Sequence, residues 1–595
     1  MDTSPTGHIP RPEHPRPQFR RSAWINLNGP WTCRIEPTRP GQIHPDKHRE
    51  MAAQGGFETP ITVPFCPESP LSGVGDREFI GVIWYHRVIE VPAAGTGRRV
   101  LLHFGAVFYR AEIYVDDAYA GQHVGGSVSF AVDVTRFVKA GGSHHLTVAV
   151  TNDLWSGAQP SGKQSWRYCS YGCHYTRTTG IWQTVWMEAV DACGLADVQI
   201  VADVEEGRLI VTPSFRGISA GQRLEVAASL DGREVGRAGR PARDGIPLSL
   251  EIADPQLWEP ESPVLYDLEL RVTRGDGSEA DRVSSYAGLR ETHVEGDRVF
   301  LNGTPRYLKL VLDQGFYPDG IWTAPADDAL RRDIELALAA GFNGARLHQK
   351  VFEERFLYWA DRLGYLLWGE SPSWGLDLLD EGAPHRNFLA EWREIVRRDR
   401  NHPSIIAWTP FNETLDVREP RAHQRIHEDA CAVCKSLDPT RPVNDASGYV
   451  HHVTDLYTVH SYEQDPAKLG EQLADRPGIG PFRNHPDVDA PYEGQPYLID
   501  EFGGIKWDPG TQGDAASGSG QNPVSWGYGQ APVSLEDFYR RLEGLVRAVT
   551  AHGHICGWCY TQLTDVEQER NGIYFYDRSE KFDMERIRRI FSIEP

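Results

Sequence analysis

At 595 residues the chain is several times the length of one domain, so it divides among about three or four folded units with more than one hydrophobic core. A formal charge of -22 repels phosphate backbones and anionic lipid; no Lys/Arg block offers a local exception and no run of about twenty apolar residues occurs, so nucleic acid and membrane are excluded as partners. Nine cysteines, an odd number at low density, argue against a disulfide scaffold and for reduced thiols in the cytoplasm.

Residues 1–21 are polar and proline-rich without an apolar core, so no signal peptide is expected there. From Trp24 to about Ala189 short period-2 runs recur, among them 99–104, 111–115 and 146–150, each bounded by Gly, Asp or Asn turns. This pattern predicts an antiparallel β-sandwich over residues 1–190. The same alternation continues at 197–201, 224–228 and 266–272, predicting a smaller immunoglobulin-like sandwich over 191–291. After about His293 the texture changes, because apolar strands alternate with helix-length amphipathic stretches, the signature of parallel βα units. Candidate strands lie at 307–312, 344–348, 365–370, 405–413, 442–445, 456–460, 497–501 and 555–560, with helices at 327–340, 353–363 and 535–552. Eight such strands predict a (β/α)8 TIM barrel over 292–595. The stretch 503–533, rich in Gly, Ser, Pro and Trp, follows a strand that carries an acid, and a loop that long is expected to serve function.

Polar groups collect at the C-terminal ends of these strands: Asp313, Arg346 with His348, Glu370, Asn412 with Glu413, His460 with Tyr462 just beyond it, and Glu501. In a barrel of this kind that end is the active-site face. Cleaving a glycosidic bond requires a proton donor for the leaving oxygen and a carboxylate for the anomeric carbon, facing one another across the sugar. Glu413 and Glu501 end the fourth and seventh strands, whose rims open on one cavity from opposing sides, and a separation of about 5 Å, the retaining value, is expected. Asn412 beside the acid is placed to bond a sugar hydroxyl next to the reacting carbon. Trp526 and Trp558 are candidate stacking faces for a sugar ring. The pairs Cys431/Cys434 and Cys556/Cys559 lie too far apart in the chain for a zinc ribbon and are expected to be buried thiols.

At these residues the chain resembles glycoside hydrolase family 2, the β-galactosidase and β-glucuronidase family, from Trp24 almost to the C-terminus. WINLNGPW at 24–31, WYHR at 84–87 and YTRTTGIWQTVW at 175–186 resemble its N-terminal sugar-binding-like sandwich, and LWEPESPVLY at 257–266 with GLRE at 288–291 its middle sandwich. In the barrel, GFNGARLH at 341–348, WTPFNE at 408–413 and PYLIDEFG at 496–503 continue the likeness. The resemblance implies an acid/base role for Glu413 and a nucleophilic role for Glu501. Two departures bear on substrate and metal. The Asn-x-Lys pair with which glucuronidases of the family hold the sugar carboxylate is missing near the last strand, where Glu569, Arg570 and Asn571 stand and Arg570 is left to serve an anion. The metal-dependent galactosidases place a Glu and a His after the third strand, whereas Ser371 to Trp374 follow Glu370 here, so no metal and no cofactor are expected. The loop from Asp313 also differs from the galactosidase pattern. The reading is a retaining exo-glycosidase of β-galactosidase type, with β-glucuronidase and a galactofuranosidase or arabinofuranosidase as alternatives. Both acids argue against the rival class, a carbohydrate-binding protein without turnover. The partner is a carbohydrate, and a homo-oligomer is left open.

Overall fold

The computed structural model describes residues 9–36, 50, 51, 53–415, 418–509 and 524–595. The first sandwich faces a four-stranded sheet, with strand order Trp24–Asn26, Val185–Val190, Arg99–Phe104 and Phe130–Asp133, against a six-stranded one. At the centre of the larger sheet Ser143–Thr151 pairs antiparallel with Val82–Glu90 on one side and Arg110–Val115 on the other. Alternation sends Ile83, Tyr85, Val148 and Val150 inward from one sheet to meet Leu102, Phe104, Val185 and Met187 from the other. The second sandwich has three strands against four, and closes over Leu209, Val211, Leu224, Val226, Leu268 and Leu270.

A strap at the N-terminus ties these layers to the third body. Arg21 bonds Glu188 of the first sandwich at 3.0 Å and Asp281 of the second at 2.8 Å. Arg11 reaches Glu353 of the barrel at 2.8 Å. All five of these residues are buried, so removing any one leaves an uncompensated charge out of water.

The barrel strands are β1 (Leu308–Asp313), β2 (Gly344–Leu347), β3 (Leu366–Glu370), β4 (Ile405–Thr409), β5 (Ala446–Ser447), β6 (Tyr457–Ser461), β7 (Tyr497–Gly503) and β8 (Ile555–Thr561). Seven of them form one curled parallel sheet in the order β4-β3-β2-β1-β8-β7-β6. The gap between β4 and β6 is spanned by β5, which pairs in parallel with the two residues Phe411–Asn412 that extend β4. The expected 442–445 pairs with β4 as well: the Pro442 carbonyl accepts from the Trp408 N–H at 3.2 Å and the Asn444 N–H donates to the Trp408 carbonyl at 2.9 Å, a parallel bridge at Val443 that precedes the β5 ladder. Between the two, the Asp445 carboxylate is taken by the buried His427 and His451 at 3.2 and 2.7 Å. Helices α1 (Asp327–Ala340), α2 (Glu354–Leu363), α3 (Ala383–Asp399), α4 (Pro420–Leu437), α5 (Pro466–Leu473), α6 (Leu535–Thr550) and α7 (Met584–Phe591) cover the sheet. α1 begins with Asp327 and Asp328 against the positive end of its dipole and stops at Gly341, whose φ of 102° suits glycine. The paired cysteines are buried, Cys431 and Cys434 on α4 and Cys556 and Cys559 in β8. Among the described residues no helix is long and apolar enough to cross a membrane. Of the expected loop 503–533, residues 510–523 lie outside the described residues.

Candidate active site

The site is organised around one fully buried cation. Arg346 leaves β2 toward the strand ends, where its Nε meets Glu370 Oε2 of β3 at 2.8 Å. One terminal nitrogen donates to the Asp500 carbonyl at 2.9 Å, and the other to Asn412 Oδ1 at 2.9 Å and Glu501 Oε1 at 2.7 Å. A guanidinium fork fixed at so many points holds four strand ends in register. His348, one face-step along β2, puts its Nδ1 3.2 Å from Glu370 Oε1, and burial first, then Arg346, keeps this ring neutral by lowering its pKa.

Glu413 follows Asn412 at the end of the β4 extension, in the left-handed backbone region with φ of 49°, which a glutamate adopts only where its surroundings impose it. Here the imposition is the bond from its own N–H to the Ser447 carbonyl of β5 at 2.9 Å. Glu501 lies across the cavity on β7, and Tyr462 donates its hydroxyl to Oε2 of that carboxylate. His460 on β6 bridges the two acids: its Nδ1 lies 2.8 Å from Glu413 Oε1 and 3.5 Å from Glu501 Oε2, while Nε2 lies 3.2 Å from Asp500 Oδ1. One atom each from Glu413, His460 and Glu501 lies within 4.8 Å of the others. So close an approach of single ligand atoms is compatible with the short class of paired carboxylates, about 5–5.5 Å between carboxyl groups, that a retaining reaction uses.

Charge is distributed unevenly over this constellation. Burial opposes ionisation of Glu501, but the His460, Arg346 and Lys163 cations and the Tyr462 bond outweigh it and hold the carboxyl below its usual range. Burial likewise opposes a charged His460, yet the Glu501 and Asp500 carboxylates overcome it and lift this imidazole to about 10. Glu370 moves the other way: burial pushes it up to about 7, against the pull of Arg346. An anionic carboxylate on one wall and a second carboxyl with a protonated histidine between them have the chemistry that a nucleophile and a proton carrier require. The same three side chains have the spacing of a metal trio. An imidazolium committed to carboxylates through both nitrogens has no lone pair for a cation, and Arg346 adds a second positive charge at the same place.

Several sequence-predicted residues therefore meet: Arg346, His348, Glu370, Asn412, Glu413, His460, Tyr462 and Glu501 form one connected group. Asn412 Nδ2 is buried without a partner among the described residues, a donor left over for something that enters the cavity. Trp526 is half-buried at the rim, its ring centroid 4.9 Å from that of Tyr528, which in turn stacks on Tyr462. Asp313 stands apart. Its Oδ1 accepts from the Gly315 N–H at 2.9 Å, and its surrounding charges are Asp333, Arg578 and Lys350. Trp558 offers no face to a sugar, because it is fully buried with Phe342, Phe502 and Phe591 around it; its position in β8 points it outward to α7.

Four residues join the site unannounced. Glu569 is buried and bonded to the Tyr175 hydroxyl at 2.5 Å and Asn571 at 3.0 Å. Trp374, half-buried, donates its indole N–H to the Asn412 carbonyl at 3.1 Å, and the Lys163 ammonium of the first sandwich lies 4.1 Å from the centre of its ring. Tyr528 completes the rim. The long-range nature of these contacts hides Lys163, Glu569 and Tyr528 from any local pattern; Trp374 alone carried a signal, as an aromatic four residues beyond a strand-end acid.

Comparison with known proteins bears on this geometry. The family model described as glycosyl hydrolases family 2, TIM barrel domain, matches residues 323–504, the one described as glycosyl hydrolases family 2 matches 197–290, and its sugar binding domain matches 53–187. A β-glucuronidase of Paenibacillus borealis is 24% identical over 447 residues, spanning 70% of this chain and 72% of its own. A β-glucuronidase of Felis catus is 26% identical across 70% of this chain and 67% of its own length. A β-galactosidase of Thermoanaerobacter pseudethanolicus is 25% identical across 65% and 51%. The solved β-glucuronidase of Ruminococcus gnavus in complex with D-glucuronic acid superposes with a TM-score of 0.76 at 18% identity, covering 96% of this chain and 99% of the other, so the fold is shared along nearly the whole length.

Proposed function

The chain belongs to glycosyl hydrolase family 2 and is a glycoside hydrolase, and we propose that it releases a terminal β-linked sugar with retention of configuration, acting on β-glucuronides. The observation that carries the retaining reading is the Glu413/Glu501 pair, with His460 between them and one oxygen of each carboxylate within 4.8 Å of the other. In the first step Glu501 attacks the anomeric carbon, the bond to the leaving oxygen breaks, and Glu413 gives that oxygen its proton. In the second, Glu413 takes a proton from water, whose oxygen displaces Glu501 from the anomeric carbon. Asn412, with its spare donor, binds the neighbouring hydroxyl. The low carboxyl of Glu501 suits attack as an anion. Trp374, Trp526 and Tyr528 wall the mouth, which favours exo action on one terminal unit.

Two of the relatives named above are β-glucuronidases, and this moves the substrate from the galactoside expected on sequence to the glucuronide. A neutral glycoside is the second reading, and Glu569 favours it: a buried carboxylate in the pocket repels a uronate and accepts from hydroxyls. A panel of nitrophenyl β-glycosides, followed by proton NMR of the first-formed sugar, tests both parts. A β-anomer released first from the glucuronide is expected; an α-anomer first would refute retention, and turnover of neutral glycosides alone would refute the uronate.

A further inference from the structure

Every cation near the reacting pair but one is already committed among the described residues. Arg346 is spent on Glu370, Glu501, Asn412 and Asp500. His460 is held by Glu413 and Asp500. Arg570, the cation available on sequence, stands 3.8 Å from Asp565, which also holds Lys581 at 2.7 Å. Lys163 is different. It is 7% exposed, and among the described residues its ammonium has neither a hydrogen-bond acceptor nor a carboxylate within ion-pair distance, only the face of Trp374 at 4.1 Å. A mostly buried ammonium that feels Glu569, Glu501 and Glu413 only from beyond ion-pair distance, and touches only a ring, has its hydrogen-bonding capacity open to an incoming acceptor.

Its position is built with care. The loop that carries it belongs to the first sandwich but is pinned to the barrel: Ser161 and Gly162 both donate their N–H to the Trp374 carbonyl, at 2.7 and 3.2 Å, and Gly162 to that of Pro372 at 3.1 Å. Gly162 has φ of 58°, and a Cβ there would sit 2.4 Å from the Gln349 carbonyl oxygen, so only glycine lets the sandwich lie this close to the strand ends. Lys163 itself accepts from the Tyr175 N–H at 2.8 Å, and the Tyr175 hydroxyl goes to Glu569. The ammonium is therefore delivered between Trp374, which touches the Asn412 carbonyl, and the Glu569 wall.

We propose that Lys163, supplied by the N-terminal sandwich across the domain boundary, is the specificity-determining residue that receives the carboxylate of the substrate sugar. This rests on the β-glucuronide reading above, and it assigns the anion to a different domain from the barrel. Glu569 is compatible with it, because burial raises that carboxyl and Tyr175 and Asn571 share its oxygens.

The test compares p-nitrophenyl β-D-glucuronide with p-nitrophenyl β-D-glucoside, which differ only in the carboxylate, on the full-length wild type, Lys163→Met and Lys163→Arg. The ratio of kcat/KM for glucuronide over glucoside is expected to fall about 10- to 150-fold in Lys163→Met, the range for losing a bond to a charged group, and to recover in part in Lys163→Arg. If the wild type cleaves the glucuronide but Lys163→Met loses equally on both substrates, Lys163 acts through the field at Glu501 and the proposal is wrong while the glucuronide reading stands. If the wild type prefers the glucoside, the glucuronide reading falls and takes the proposal with it. Should Lys163→Met fail to fold, Lys163→Gln, which keeps a donor without the charge, is read by the same ratio.

Discussion

Replacing the two acids in turn by alanine separates the roles proposed for them. Glu501→Ala removes the attacking carboxylate and leaves Arg346, 2.7 Å away in the intact protein, and His460, 3.5 Å away, facing an empty place. That place is cationic and the size of a carboxylate, so azide is drawn into it and attacks from the same face, giving the glycosyl azide of inverted configuration. Without azide, turnover is lost for every leaving group, because no glycosyl-enzyme forms. Losing the charge-assisted bonds of Glu501 also costs about 1.5–3 kcal/mol each before relaxation, and azide binding is expected to return part of this as a rise in Tm. Glu413→Ala fails differently. It withdraws proton transfer, worth about 10²- to 10⁴-fold, from alkyl glycosides, but a dinitrophenolate leaves unaided, so the first step survives and the intermediate accumulates. Azide then enters from the side Glu413 vacated and releases the azide of retained configuration. The assay is a stopped-flow burst with 2,4-dinitrophenyl glycoside, with NMR of the azide product. Exchanged behaviour of the two variants would reverse the roles, and a fully active variant of either would place the chemistry elsewhere.

Asn412→Ala should lower kcat/KM by about 10- to 100-fold on the full glycoside and by much less on its 2-deoxy analogue; equal losses on both would mean that Asn412 serves only to hold Arg346. His460 is raised to about 10 from an ordinary value near 6.5, so the stability it contributes is complete below about pH 6.5 and is lost as pH rises through about 10. Chemical denaturation of the wild type should therefore weaken between pH 7 and 10, and His460→Gln should weaken less over that window; a parallel decline in both would assign the slope to other groups. Trp558→Ala should lower stability by about 3–5 kcal/mol, as core truncations of this size do, and Trp374→Ala should instead raise KM at little cost in Tm; a KM effect at Trp558 would contradict its place in the core.

The architecture was legible because each layer repeats a period that the sequence displays. Alternation in Ser143–Thr151 and Tyr266–Thr273 and the amphipathic stretches at Asp327–Ala340 and Leu535–Thr550 are packing requirements written over many residues. The strand-end positions of Arg346, Glu413, His460 and Glu501 follow once the strands are found, since in a barrel the end of a strand is also a place in the cavity. Register within β8 was harder. Trp558 and Tyr560 share the face directed at α7, and aromatic content alone does not tell that face from the lumen. The fifth strand pairs at Val443, within the expected span, and again at Ala446 and Ser447 beyond it, and so broken a ladder leaves no periodic trace to mark its end.

What stayed hidden depends on one sandwich touching one barrel. Lys163 lies in a stretch of Ser, Gly and Gln that reads as an ordinary turn, and nothing near it in the chain calls for a cation. Its chemistry comes from residues about two hundred and four hundred positions away, Trp374 under its ammonium and Glu569 through Tyr175. The join that brings them together is a glycine with no room for a methyl group, so Gly162→Ala makes the dependence measurable without changing any charged group. If the sandwich completes the pocket, that variant should keep its fold and its burst with dinitrophenyl glycoside yet lose preference for the charged sugar, as Lys163→Met does. If the barrel alone defined the substrate, pushing the loop back would change stability and leave selectivity where it was.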